Sequence, residues 1–115
     1  MKITKIKEDI TSEIANSFKN SIAIDTEATG LQIPERDKLS LIQICDEIGN
    51  VFIIQPNKDT FKAPHLVSVL QNDKIQKIGH FLRFDKSALE FFLKCKIKNI
   101  FDTKIASKIV RTYTD

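Results

Sequence analysis

The alternation of apolar and polar positions predicts a helix, then a strand-rich middle, then a largely helical second half. Ile10, Ile14 and Phe18 recur every four residues, the spacing of one helix face, with Asp9 or Thr11 placed to cap its start. Asn20 ends that helix. Ser21 to Glu27 alternates as a half-buried strand does, with Ile22, Ile24 and Thr26 on one side. A turn at Thr29-Gly30 and a polar loop from Ile33 to Lys38 come next. Leu39 to Cys45 and Val51 to Gln55 read as two more strands, joined by a hairpin-like bend through Asp46-Glu47-Ile48-Gly49-Asn50. Leu66, Val67 and Leu70 lie at helical spacing within Pro64 to Asn72. Lys74 to Gly79 is a short fourth strand, Phe84 to Lys94 a helix, and Phe101 to Arg111 another.

Helix, three-stranded meander, helix, strand and two helices make an α/β fold with a mixed sheet. The sheet begins antiparallel, and a helical crossover then brings in a strand parallel to the first. The order does not alternate as a βαβ nucleotide-binding fold does, and no glycine-rich phosphate loop is present. The 115 residues suffice for one domain, and no repeat, low-complexity stretch or linker divides them.

Three carboxylates stand out against this pattern. On the strand Ser21 to Glu27, Asp25 and Glu27 point to the same side, about 7 Å apart at their Cα atoms. Ala23 shares that side. Two carboxylates side by side repel and lose water, a conflict that a bridging divalent cation removes. A frayed strand end facing water would remove it too. Asp85 lies in line with the apolar stripe Ala88, Leu89, Phe92 and Leu93 of its helix, one turn earlier. It is placed either to cap that helix or to face inward with the strand acids.

Bulk properties narrow the class. Hydrophobic residues at 42% and charged residues at 29% are ordinary for a globular domain and set aside a disordered chain. No apolar run approaches the roughly 18 residues of a membrane span, and no apolar stretch comes after the basic start Met1-Lys2, so neither membrane insertion nor a signal peptide is expected. A net charge of +3 permits a nucleic-acid partner without requiring one. Cys45 and Cys95 each sit among apolar neighbours and read, ahead of the alternative of a disulfide or metal pair, as buried free thiols, which points to the cytoplasm.

Asp25-Thr26-Glu27 with Thr29-Gly30-Leu31 and Leu41-Ile42-Gln43-Ile44 resembles the first exonuclease motif of the DEDD superfamily. Ile78-Gly79-His80-Phe81-Leu82-Arg83-Phe84-Asp85 resembles the second, in the form carried by short ribonuclease D-like proteins. Phe101-Asp102-Thr103-Lys104-Ile105-Ala106-Ser107 is similar to the next segment of the ribonuclease D branch. The three come in order, at spacings of about 60 and 17 residues. Many members of the superfamily have Asn where this chain has Phe81.

The resemblance implies a ribonuclease-H-like mixed sheet flanked by helices, with residues 1–115 forming the N-terminal part of a single 3'-5' exonuclease domain. It implies two Mg²⁺ or Mn²⁺ ions, with Asp25 bridging them, Glu27 helping to hold the first and Asp85 acting near the second. It places Thr29, Gly30, Leu31 and His80 around the last nucleotide of RNA or single-stranded DNA, from which nucleoside 5'-monophosphates would be released. A fourth acid belongs to a third motif, Tyr-x-x-x-Asp; Tyr113 and Asp115 have the wrong spacing for it, so the fold is expected to be incomplete at its C-terminus. Self-association or a complementing C-terminal fragment is the expected remedy, and an inactive remnant or a nucleic-acid- or metal-binding module the alternative function. Asp102 reads first as a helix cap. Lys104, Lys108 and Arg111 share one helix side, a solvated basic face or one that tracks phosphates.

Overall fold

The computed structural model describes residues 2–30 and 37–104. Among the described residues, six strands form one mixed sheet in the order β1 (Ile3–Lys7), β4 (Val51–Gln55), β3 (Leu39–Cys45), β2 (Ser21–Ala28), β5 (Gln76–Gly79) and β6 (Ile100–Asp102). Strands β2 (Ser21–Ala28), β3 (Leu39–Cys45) and β4 (Val51–Gln55) are the expected antiparallel meander. Strand β5 (Gln76–Gly79) then pairs parallel to β2, with Ala23 opposite Ile78, as the crossover rule requires. Between them run helices α1 (Ser12–Ser17), capped by the Thr11 side chain, α2 (Pro64–Gln71) and, after β5, α3 (Leu82–Leu93).

Two strands escaped the pattern. Strand β1 (Ile3–Lys7) pairs parallel to β4 at one sheet edge. Its Lys5 and Lys7 alternate with Thr4 and Ile6, so little of it is apolar. Lysine-rich edge strands of this kind resist further pairing, and they look like a polar terminus in sequence. Strand β6 (Ile100–Asp102) is only 3 residues long and takes the start of what the periodicity assigned to a helix from Phe101 to Arg111. Residues 105–111 of that expected helix, with Lys108 and Arg111, lie outside the described residues.

Residues paired across neighbouring strands share a sheet face. One face carries Ile22, Ile24, Ile42, Ile44, Phe52 and Ile54, all buried beneath the helices. Phe18, just after α1, meets Phe52 edge-on, with ring centroids 5.7 Å apart. Helix α2 adds Leu66, Val69 and Leu70 to the same core, and α3 adds Leu82, Ala88, Leu89 and Leu93. The other face carries Ala23, Asp25, Glu27 and Gln43, all exposed. Leu41, Cys45, Val51 and Ile53 are half-buried there, and no helix among the described residues covers them. Cys45 is therefore not the buried thiol its apolar neighbours suggested; β-strand alternation turns it to the open face. Cys95 is buried as expected, and burial pushes its thiol up to about 11. No described helix is long and apolar enough to cross a membrane.

Candidate active site

Strand β2 presents Asp25 and Glu27 on its open face, and the pairing with β3 is interrupted by a bulge immediately after Glu27. A bulge adds a residue to one strand and re-aims the side chains beyond it. Here the Ser40 hydroxyl, at the bulge, donates to the Glu27 carbonyl at 3.0 Å. Between the two acids, Thr26 points to the covered face, toward α3. Its backbone N–H donates to Asp85 Oδ1 at 3.0 Å, and its hydroxyl donates to the same oxygen. Asp85 thus reaches across to β2 instead of capping its own helix.

Asp85 is 6% exposed. Burial raises its pKa above the ordinary carboxylate value; the Thr26 hydroxyl pulls it down, and the Asp25 carboxylate adds to the rise. The electrostatic contact with Asp25 means that the acids of the two motifs feel each other.

The start of α3 is held from a distance. Asp102, on β6, accepts the N–H groups of Phe81 and Leu82 at 2.9 and 2.8 Å. These are orphan donors of a helix N-terminus, and a carboxylate there also complements the helix dipole. Asp102 further accepts from Lys104 N at 2.9 Å, the local cap expected of it. The long-range cap lets α3 begin at Leu82, two residues before its periodicity predicts. Phe81 itself is left-handed, with φ 55° and ψ 56°, and the Lys104 ammonium sits 3.7 Å from the centre of its ring. Gly79 makes room for this turn: a Cβ there would lie 2.3 Å from the Leu82 side chain.

The residues expected around a terminal nucleotide part company. His80 is exposed, and its Nδ1 lies 2.9 Å from the Thr103 hydroxyl. Gly30 faces Asp37, whose carboxylate occupies the space a Cβ would need. The Thr29 hydroxyl donates to Asp37 at 3.1 Å and accepts from Lys38 N at 3.0 Å, so it closes the loop between β2 and β3. Leu31 lies outside the described residues.

Asp25, Glu27, Asp85, Gly30 and His80 all line one cleft of about 860 Å³. Thr29 does not line it. The cleft also takes in Phe81, Arg83, Phe84 and Ser87, which periodicity did not single out. Phe84 and Ser87 flank Asp85 inside the helix that the periodicity gave, whereas Phe81 and Arg83 precede its expected start, so an earlier helix start was the signal that would have found those two. Among the described residues, no three His, Cys, Asp or Glu side chains gather into a group that could hold a metal ion. The three acids fit a divalent cation in kind, being hard oxygen donors, while sharing a cleft rather than forming a closed cage.

The family model described as 3'-5' exonuclease matches residues 2–115. The chain belongs to the 3'-5' exonuclease family. Among solved structures, NrnC of Brucella melitensis is 41% identical and superposes with a TM-score of 0.89, covering 100% of this chain and 55% of that one. The same protein has been solved with bound Mg²⁺ and bound to pGG. This exonuclease-family chain thus spans about half the length of that relative. An EXD2 exonuclease domain soaked in Mg and GMP (16% identity, TM-score 0.75, covering 99% of this chain and 62% of that one) shares the fold. So does Trypanosoma brucei RNase D in complex with GMP (24%, 0.74, 92% and 36%). No curated protein sequence matches the chain. The ribonuclease-H-like mixed sheet and the DEDD-type resemblance both stand.

Proposed function

We propose that this chain carries the metal-binding and 3'-end-binding part of a 3'-5' exonuclease that acts on RNA or single-stranded DNA and releases nucleoside 5'-monophosphates. The observation that carries this reading is the meeting of Asp25, Glu27 and Asp85 in one cleft. Asp25 and Glu27 would hold one Mg²⁺ or Mn²⁺, and Asp25 with Asp85 would face a second. The repulsion between Asp25 and the buried Asp85 is what a cation there would relieve. Bound divalent ions supply Lewis acidity at the phosphoryl oxygen and a more acidic water. The protein's own residues do the positioning. Thr26 fixes Asp85 against β2, and the Asp102 cap fixes the first turn of α3. Arg83, in the same cleft, offers positive charge to a phosphate. The NrnC complexes with Mg²⁺ and with pGG support both the metal and the ligand class.

The resemblance calls for a fourth acid in Tyr-x-x-x-Asp, and this reading takes it from outside residues 1–115, whether from the same polypeptide or from another. The two free thiols fit a reducing, cytoplasmic location. A 5'-labelled single-stranded RNA incubated with the chain and Mn²⁺ tests the proposal. The chain alone should turn over slowly, because ligands of one site act as a unit. A polypeptide restoring Tyr-x-x-x-Asp should produce stepwise shortening from the 3' end, and Asp25→Ala should abolish it. Internal cleavage, or shortening that survives Asp25→Ala, contradicts the proposal. The alternative of a binding module without turnover is favoured by one observation, the lack of a three-ligand group among the described residues. It predicts binding of the oligonucleotide with no shortening under any of these conditions.

A further inference from the structure

The Thr103 hydroxyl has two neighbours and one hydrogen. Its oxygen lies 3.2 Å from the Gly79 carbonyl and 2.9 Å from His80 Nδ1. The carbonyl can only accept. If the hydroxyl donates to Gly79, its lone pair is left for His80, and Nδ1 must carry the proton. If it donates to His80 instead, two acceptor oxygens face each other at 3.2 Å with nothing between them. The first arrangement makes two hydrogen bonds and the second makes one, so the neutral ring carries its proton on Nδ1. Its other nitrogen, Nε2, is then a bare lone pair on a residue that lines the carboxylate cleft. Asp102 stiffens this arrangement, because the same β6 segment that places Thr103 also holds the N–H groups of Phe81 and Leu82 beside His80.

An acceptor in a cleft lined by acids selects for a donor. A phosphate oxygen offers none to a neutral ring. The hydroxyls of a sugar do. We propose that His80 Nε2 accepts a hydrogen bond from a hydroxyl of the sugar at the 3' end, making His80 a specificity-determining residue and Thr103 its positioning residue. This rests on the nucleotide-end reading of the cleft. The hydroxyl is either the 2' group, which distinguishes RNA from DNA, or the 3' group, which both share and which marks a free end.

The test uses NMR of the 115-residue chain. Two-bond ¹⁵N–¹H correlations of the imidazole give the tautomer directly: Nδ1–H is expected in the parent and in Thr103→Ser, and a loss of that bias in Thr103→Val. Guanosine 5'-monophosphate, its 2'-deoxy analogue and its 3'-deoxy analogue are then titrated separately. One deoxy analogue should bind about three- to tenfold more weakly than the parent nucleotide, the worth of one hydrogen bond. That gap should close in His80→Ala and in Thr103→Val, and persist in Thr103→Ser. A predominant Nε2–H tautomer overturns the proposal. So do equal affinities for all three nucleotides, or a gap that survives His80→Ala; in both cases the cleft remains a nucleotide site. Failure of all three nucleotides to bind removes the nucleotide-end reading itself, and this proposal with it.

Discussion

Thr26 and Asp85 join the first strand of the carboxylate motif to the helix that carries its third acid: the Thr26 N–H donates to Asp85 Oδ1 at 3.0 Å, and the Thr26 hydroxyl donates to the same oxygen. The residue between Asp25 and Glu27 therefore sets where Asp85 sits. Thr26→Val keeps the shape and the backbone donor but removes the hydroxyl from a buried carboxylate. The expected cost is about 1–3 kcal/mol, because a buried charged acceptor loses a partner. Thr26→Ser should restore most of it. Urea denaturation of the three proteins checks this; a Thr26→Val protein as stable as the parent would show that the hydroxyl contributes nothing.

Asp102 should matter more than a single local cap. Asp102→Ala removes the acceptor for the N–H groups of Phe81, Leu82 and Lys104 together. A loss of roughly 2–4 kcal/mol is expected, with Asp102→Asn intermediate. Hydrogen exchange at the Phe81 and Leu82 amides should accelerate in step with the loss. Unchanged exchange there would place the Asp102 contribution elsewhere.

Phe81 occupies the left-handed region, where Asn is tolerated and β-branched residues are not. Asn is also what many members of the superfamily carry at this place. Phe81→Asn loses the Lys104 contact, worth about 0.5–1 kcal/mol at an exposed ring, and gains by relief of strain. It should fall within about 1 kcal/mol of the parent, whereas Phe81→Val should lose about 1–2 kcal/mol. Thermal melts give the order, and a Val variant as stable as the Asn variant would contradict the left-handed assignment.

The meander, the parallel return strand and the three described helices were legible because their apolar residues keep a regular period. Ile22, Ile24, Ile42, Ile44, Phe52 and Ile54 repeat every second residue and are all buried. β1 and β6 were not legible for opposite reasons. One is an edge whose exposed side is lysine; the other is too short for any period to develop. In the cleft, the shared face of Asp25 and Glu27 and the inward side of Asp85 were readable from alternation and helical phase, whereas the bond from Asp85 to Thr26, on the opposite face of β2, was not. The Asp102 cap on α3 was not. It joins residues about 20 positions apart, and no local pattern encodes such a bond. With it went the true helix start, and so Arg83.

Lys77 is fully buried on the covered face of β5, where its ammonium donates to the carbonyls of Asn72 and Lys98 at 2.5 and 3.0 Å. Burial lowers its pKa to about 8, with Asp73 opposing the fall. Below that pH the group is charged in both folded and unfolded states, and the fold bears the burial cost. Between about 8 and the ordinary lysine value of 10.5 the unfolded chain holds the extra proton, so stability rises with pH across that window. Relative to Lys77→Met, the parent should gain stability from about pH 7.5 to about pH 9.5 in denaturant titrations at matched ionic strength. A difference that stays constant with pH would mean that Lys77 titrates alike in both states.

The central proposal is that the cleft lined by Asp25, Glu27 and Asp85 takes divalent cations, and Mn²⁺ tests it without any need for turnover. Substoichiometric Mn²⁺ broadens NMR signals near the place where it binds. The account predicts broadening confined to the amides of Ile24 to Ala28 and of the first turns of α3, competed by Mg²⁺ and lost in Asp25→Asn. Broadening centred on another acidic stretch such as Asp46-Glu47, or unchanged in Asp25→Asn, would contradict it.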